Sequence, residues 1–167
     1  MKLRAFFLSL IILYTTMATA QDWTLHDKTS IKGSVSGSIT KGYLFKTSGG
    51  TFYEITERTR QRVRERNPDV TVYKNGNDYK LVIEGFDEPV ICRKIKDVIE
   101  SSIDGEFKGW DGSTIFKLTN GQIWQQSEYA YTYHYAYRPS VTIYESKDGI
   151  KMKVEDMDEV IGVKKLK

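Results

Sequence analysis

The chain has 167 residues, 25 of them Lys or Arg and 22 Asp or Glu, with two histidines and one cysteine. Setting aside Lys2 and Arg4, which belong to the leader described next, takes the 25 basic residues to 23 against 22 acidic, a balance of +1. That balance argues against a protein held to nucleic acid by net charge, and a lone cysteine excludes an intramolecular disulfide framework.

The chain opens with MKLRAFFLSLIILYTTMATAQDW. Lys2 and Arg4 precede an apolar run from Ala5 to Tyr14, and Ala18-Thr19-Ala20 makes a small-x-small cleavage site before Gln21. This is the pattern of a secretory signal peptide over residues 1–20, with an apolar core too short to span a bilayer comfortably. No cysteine follows the cleavage site, so a lipoprotein anchor is not expected. The expected product is exported, periplasmic or secreted, with no membrane anchor after cleavage.

A leader segment, residues 21–29, carries His26, and beyond it the chain repeats itself. Residues 44–95 align with 115–166 at a constant offset of 71, without a gap. Phe45 meets Phe116, Lys46 meets Lys117, Gly50 meets Gly121, Pro68 meets Pro139, Tyr73 meets Tyr144 and Glu84 meets Glu155. About a quarter of the aligned positions are identical. Upstream, Ser30-Ile31 and Gly33 match Ser102-Ile103 and Gly105 at an offset of 72. Two modules follow, residues 30–95 and 96–167.

Each module reads as β. TIFKLTNGQIWQQ is two short alternating runs joined by Asn120-Gly121, with Gly49-Gly50 in the first copy, and SVTIYESKDGIKMKV is a second hairpin around Lys147-Asp148-Gly149. VICRKI and VIGVKKL supply a closing strand. Five or six short strands in each module suggest a mostly β chain built as a tandem repeat of two small SH3-like barrels, with little helix. An open meander of two sheets is the alternative. KDVIESS, from Lys96, is the one candidate for a short helical link.

The second copy contains GEFKGWDGSTIFKLTNGQIWQQ, then YAYTYHYAYRPSVTIY, KMKVE and a closing VKKL. This wording resembles a module of uncharacterised exported bacterial proteins described as SH3-like. The resemblance runs from Ile103 to Leu166, and the first copy departs from it wherever the aromatic residues should stand. It implies a fold and a location, and no activity.

Tyr129, Tyr131, Tyr133, Tyr135 and Tyr137 account for five of the eleven tyrosines. At the offset of 71 they fall on Arg58, Arg60, Arg62, Arg64 and Arg66. Period two places each ladder on one face of an extended strand. TERTRQRVRERNP would also suit a short helix ended by Pro68, but the ungapped alignment favours a strand.

Three uses of the ladders are considered. Arginines stack on tyrosines within or between chains, in a structural or assembly protein that leaves room for a homo-oligomer. Or the tyrosines form an open platform for a peptide, glycan or other cell-envelope polymer, with Trp110 of the GWDG turn packed or lining a groove. Or the arginines hold an anionic polymer, diluted by Glu57 and Glu65.

Catalysis is not expected. His26 lies outside both repeats, His134 matches Val63, and Cys92 sits in a strand-like run with Val90 and Ile95. No histidine or cysteine pair has metal-ligand spacing, and no cofactor is implied. The leading reading is a non-catalytic binding module acting through Tyr129–Tyr137.

Overall fold

Asn120-Gly121 and Lys147-Asp148 each turn the chain back on itself, as their composition requires. In the computed structural model, which describes residues 22–167, β11 (Ile115–Lys117) returns as β12 (Ile123–Gln126), with Gly121 at φ 83°. β14 (Ser140–Ser146) returns as β15 (Gly149–Val154) with Ser146 opposite Gly149. A positive φ suits glycine, which lacks the β-carbon that strains other residues there. The expected signal peptide lies outside the described residues.

The described residues are all-β: sixteen strands and no helix, in curled sheets that include a half-barrel. The first half contributes β1 (Thr24–Ser30), β2 (Ser34–Thr40), β3 (Leu44–Lys46), β4 (Phe52–Ile55), β5 (Arg60–Arg66), β6 (Asp69–Asn75), β7 (Asp78–Ile83) and β8 (Val90–Ile95). The second adds β9 (Val98–Ser102), β10 (Glu106–Phe107), β13 (Ala136–Tyr137) and β16 (Val160–Lys165) to the four strands already named.

One six-stranded sheet has the order β1-β6-β7-β8-β4-β3, and the other, read from its far edge, has β9-β14-β15-β16-β12-β11. Each strand of the second order lies eight places later in the chain than its counterpart in the first. The two-stranded ribbons β2-β5 and β10-β13 obey the same shift. Hydrogen bonds at the corners correspond too. Ile31 N–H donates to Pro68 O at 2.8 Å and Ile103 N–H to Pro139 O at 3.0 Å. Gly50 and Gly121 donate to Thr47 O and Leu118 O, each at 2.9 Å.

Two elements differ from expectation. The segment read as a leader forms β1, an edge strand paired with β6 from Thr24 to Ser30, with a bulge between Leu25 and Asp27. The segment read as a short helical link forms β9, paired with β14. Cross-strand pairing at the sheet edge outweighs a weak local helix propensity in KDVIESS.

Each half encloses its own apolar cluster. Ile39, Phe45, Tyr53, Val72, Leu81 and Cys92 lie in the first, and Phe107, Trp110, Phe116, Trp124, Ile143 and Met152 in the second. Tyr53 and Trp124, which occupy equivalent positions, are both buried. Burying one large apolar side chain contributes about 1.5–3 kcal/mol. A third cluster, Leu44, Phe52, Ile95 and Tyr144, joins the halves.

Beside that third cluster the buried Glu54 accepts from Arg93 Nε at 2.7 Å and from Ser146 Oγ at 2.6 Å. Arg93 also donates to the Glu145 carbonyl, and Lys46 pairs with Glu100. Lys153 of the second half lies 4.4 Å from the Tyr43 ring centroid of the first.

Candidate functional site

Between β12 and β14 the chain runs from Ser127 to Pro139 and carries the tyrosine ladder. All five rings face solvent: Tyr129 is 89% exposed, Tyr131 72%, Tyr133 70%, Tyr135 55% and Tyr137 69%. The residues between them, Ala130, Thr132, His134 and Ala136, are half-buried. Ala130 and Ala136 pack on the cluster that holds Phe107 and Trp110. Period two therefore separates an outer face of phenols from an inner face of Ala, Thr, His and Ala. Alternate residues on such a run stand about 6.6–6.8 Å apart, from a rise of about 3.3–3.4 Å per residue.

The run is extended, but only Ala136–Tyr137 is a regular strand, paired with Glu106–Phe107. The strand expected over the whole ladder is thus cut short. Phe107 stands opposite Ala136, and Trp110 bridges to Thr132. Three residue steps on one side face four on the other, so the tyrosine side bulges by one residue. The two segments run close at this crossing: a β-carbon on Gly109 would stand 1.8 Å from the Thr132 carbonyl oxygen. From Tyr129 to Tyr135, the one main-chain bonded pair among the described residues is Trp110 with Thr132, 3.0 Å in each direction.

Side chains hold this under-paired run in place. Buried Gln126 donates to the carbonyls of Glu128 at 2.9 Å and Ala130 at 3.0 Å. Its oxygen accepts from Gly112 N–H at 2.9 Å. Glu128 accepts from Gly162 N–H at 2.6 Å and Lys151 Nζ at 2.8 Å. Burial pushes the Glu128 carboxyl up, but these two bonds and the Lys151 charge outweigh it and hold the group below its ordinary range. Thr132 Oγ1 donates to Glu159 Oε2 at 3.0 Å, tying the ladder to the β15–β16 loop. Gln61 makes the corresponding tie in the first half, donating to Glu88 O at 2.9 Å.

Trp110 is buried, and its indole N–H has no partner among the described residues. Together with Lys108, Asp111, Ile115, Tyr131 and Tyr133 it borders a cleft of about 480 Å³. The GWDG turn is pinned by Asp111, which accepts from Ser113 N–H at 3.0 Å and Thr114 Oγ1 at 2.9 Å. Those bonds, the Ser113 N–H first, lower the Asp111 carboxyl pKa.

The arginine ladder is also exposed along its length, with Arg60 to Arg66 in β5 and Arg58 just before it. Its segment is extended, not helical. The two ladders do not stack within one chain. Among the described residues every cation–π contact is made by a lysine, and none uses a ladder tyrosine. The Asp158–Glu159 loop is shared between them: Glu159 holds Thr132, and both acids border a cleft with Arg62.

The remaining candidates differ in burial: His26 is exposed on β1, His134 is half-buried and Cys92 is buried. His26 meets Tyr79 edge-on at 5.5 Å, and His134 lies 6.2 Å from Phe107. Cys92 is fully buried, and burial, with the Glu54 charge second, pushes its thiol pKa well up. Sequence reasoning missed Gly109, Gln126 and Glu128, the residues that place the ladder. The identity of Glu57 and Glu128 at the offset of 71 was the one sequence signal for that third residue.

Compared with protein-family models, with curated proteins and with solved structures, the chain finds no match.

Proposed function

We propose that this chain is an exported, non-catalytic binding protein, made of two SH3-like β modules related by an internal repeat. In this reading it contacts an extended cell-envelope partner, a peptide or glycan, through Tyr129–Tyr137. The observation that carries the reading is the alternation itself: five open rings over a half-buried face of Ala130, Thr132, His134 and Ala136. Tyrosine supplies rigid, amphipathic contact area at low entropic cost, and a contiguous exposed patch of this kind marks an interaction surface. The neighbouring cleft at Trp110 adds a recess into which a side group of the partner would fit. The matching strand orders and corner bonds support descent of both halves from one module.

Affinity capture from envelope extract tests this, with Tyr131→Ala/Tyr133→Ala/Tyr135→Ala as the control. A partner retained by the native protein and lost by the variant is expected. Equal retention by both overturns the assignment of the surface. If the rings serve self-association, the assembly reading, the native protein sediments as an oligomer and the variant as a monomer.

A further inference from the structure

The arginine row is one half of a ribbon whose other half is also periodic. β2 pairs with β5 throughout: Ser34 stands opposite Arg66, Ser36 opposite Arg64, Ser38 opposite Arg62 and Thr40 opposite Arg60. Directly paired residues share a face, and all eight of these are exposed. The opposite face, with Val35, Ile39, Gln61 and Val63, is buried. The outer face therefore carries a row of guanidiniums beside a row of hydroxyls.

That face lacks the counter-charges that stability alone would favour. A carboxylate opposite each of the four β5 arginines would form a stabilising cross-strand pair, yet all four slots hold Ser or Thr. None of Arg58, Arg60, Arg62, Arg64 or Arg66 makes an ion pair among the described residues. Glu65 does not dilute the row, because it pairs with Val35 and its carboxylate packs beside Gly85. Glu57 lies in the bend before the strand. Asp158 and Glu159 touch the row at one place, the cleft they share with Arg62 and Lys41. There Glu159 is engaged by Thr132, and the charge of Asp158 acts on the half-buried Lys153.

We propose that this ribbon is a binding track for a linear polyanion, a polymer whose phosphate or carboxylate groups recur along an extended backbone. Guanidinium forks grip either group bidentately, and Ser and Thr hydroxyls are common partners of anionic oxygens. Five arginines over eight residue steps span about 27 Å. A single small anion would leave most of that row unmatched, whereas an extended chain meets it end to end. The low net charge of the protein does not oppose this, because these arginines recur at every second position of one segment. The second half cannot do the same, since Tyr137 faces Glu106 there. The inference stands apart from the tyrosine reading.

The test is titration of the purified protein with long-chain inorganic polyphosphate and with polygalacturonate, over a series of salt concentrations. Saturable binding to at least one is expected, tighter than to orthophosphate or galacturonate monomer. Polyphosphate alone assigns phosphate, polygalacturonate alone assigns carboxylate, and binding of both assigns spaced charge of either kind. Arg62→Gln/Arg64→Gln should weaken binding about tenfold and flatten the log–log salt slope by about one per arginine removed. Arg62→Lys/Arg64→Lys should keep the slope and lose affinity. Lys164→Gln/Lys165→Gln, an equal charge change on β16, should alter neither. No saturable binding to either polymer, or equal weakening by the Lys164/Lys165 pair, would overturn the proposal.

Discussion

Thr132 runs its main chain directly over Gly109: a β-carbon on that glycine would stand 1.8 Å from the Thr132 carbonyl oxygen. The contact sets how low the tyrosine run rides on Trp110, and hence which way its rings point. Gly109→Ala should therefore cost more than backbone strain alone. Gly121→Ala is the comparison, since Gly121 also has positive φ but nothing within 4 Å of an added β-carbon. Denaturant unfolding should show a loss of about 1 kcal/mol for Gly121→Ala and of at least about 2–3 kcal/mol for Gly109→Ala. Equal losses would mean that the strand yields freely at this crossing.

At the junction of the halves, the buried Tyr144 hydroxyl has no hydrogen-bond partner among the described residues although it lies near Glu54 and Arg93. Removing an unsatisfied buried polar group relieves its desolvation cost. Tyr144→Phe should leave stability unchanged or raise it by up to about 1–2 kcal/mol. Glu54→Ala should instead cost about 3–5 kcal/mol, because it strands the Arg93 charge. Denaturant unfolding of the two variants checks both, and a large loss from Tyr144→Phe would count against this packing.

Glu128 gives the fold a defined acid response. Its carboxyl pKa is lower in the folded chain than its ordinary 4.5. A group depressed by folding contributes stability above its unfolded pKa, and that contribution is lost as pH falls through the folded value. The stability gap between native protein and Glu128→Gln should therefore be full near neutral pH and close as pH drops below about 4.5. Unfolding curves at stepped pH measure it. A gap that widens toward acid would reverse the assignment.

The turns and the cores were legible because their residues are committed to one use. Asn120-Gly121 suits a tight reversal, and Tyr53 and Trp124 sit on short strands whose aromatic residues are buried. β1 was not legible: TLHDKTS is an edge strand exposed over most of its length, so no hydrophobic alternation marks it. β9 is half-buried except at Glu100 and reads locally as a weak helix. Period two in the ladders disclosed a shared face but not its direction. The alanines between the tyrosines held that information, since the smaller face is the one that packs on Trp110. The hydroxyl row of SVSGSIT was also in the sequence, but its partner in β5 is set by long-range pairing. The close approach at Gly109 was not legible, because it depends on a carbonyl 23 positions away in the chain.

The central claim is that the tyrosine rings act outward and contribute little to folding. Equilibrium unfolding of Tyr131→Ala and Tyr133→Ala, set against Trp124→Ala, measures this most directly. Each tyrosine truncation should change stability by no more than about 0.5 kcal/mol, while Trp124→Ala, in the core, should cost about 3–5 kcal/mol. Tyrosine losses of the same size as the tryptophan loss would show that the ladder is part of the packed fold, and would contradict the account.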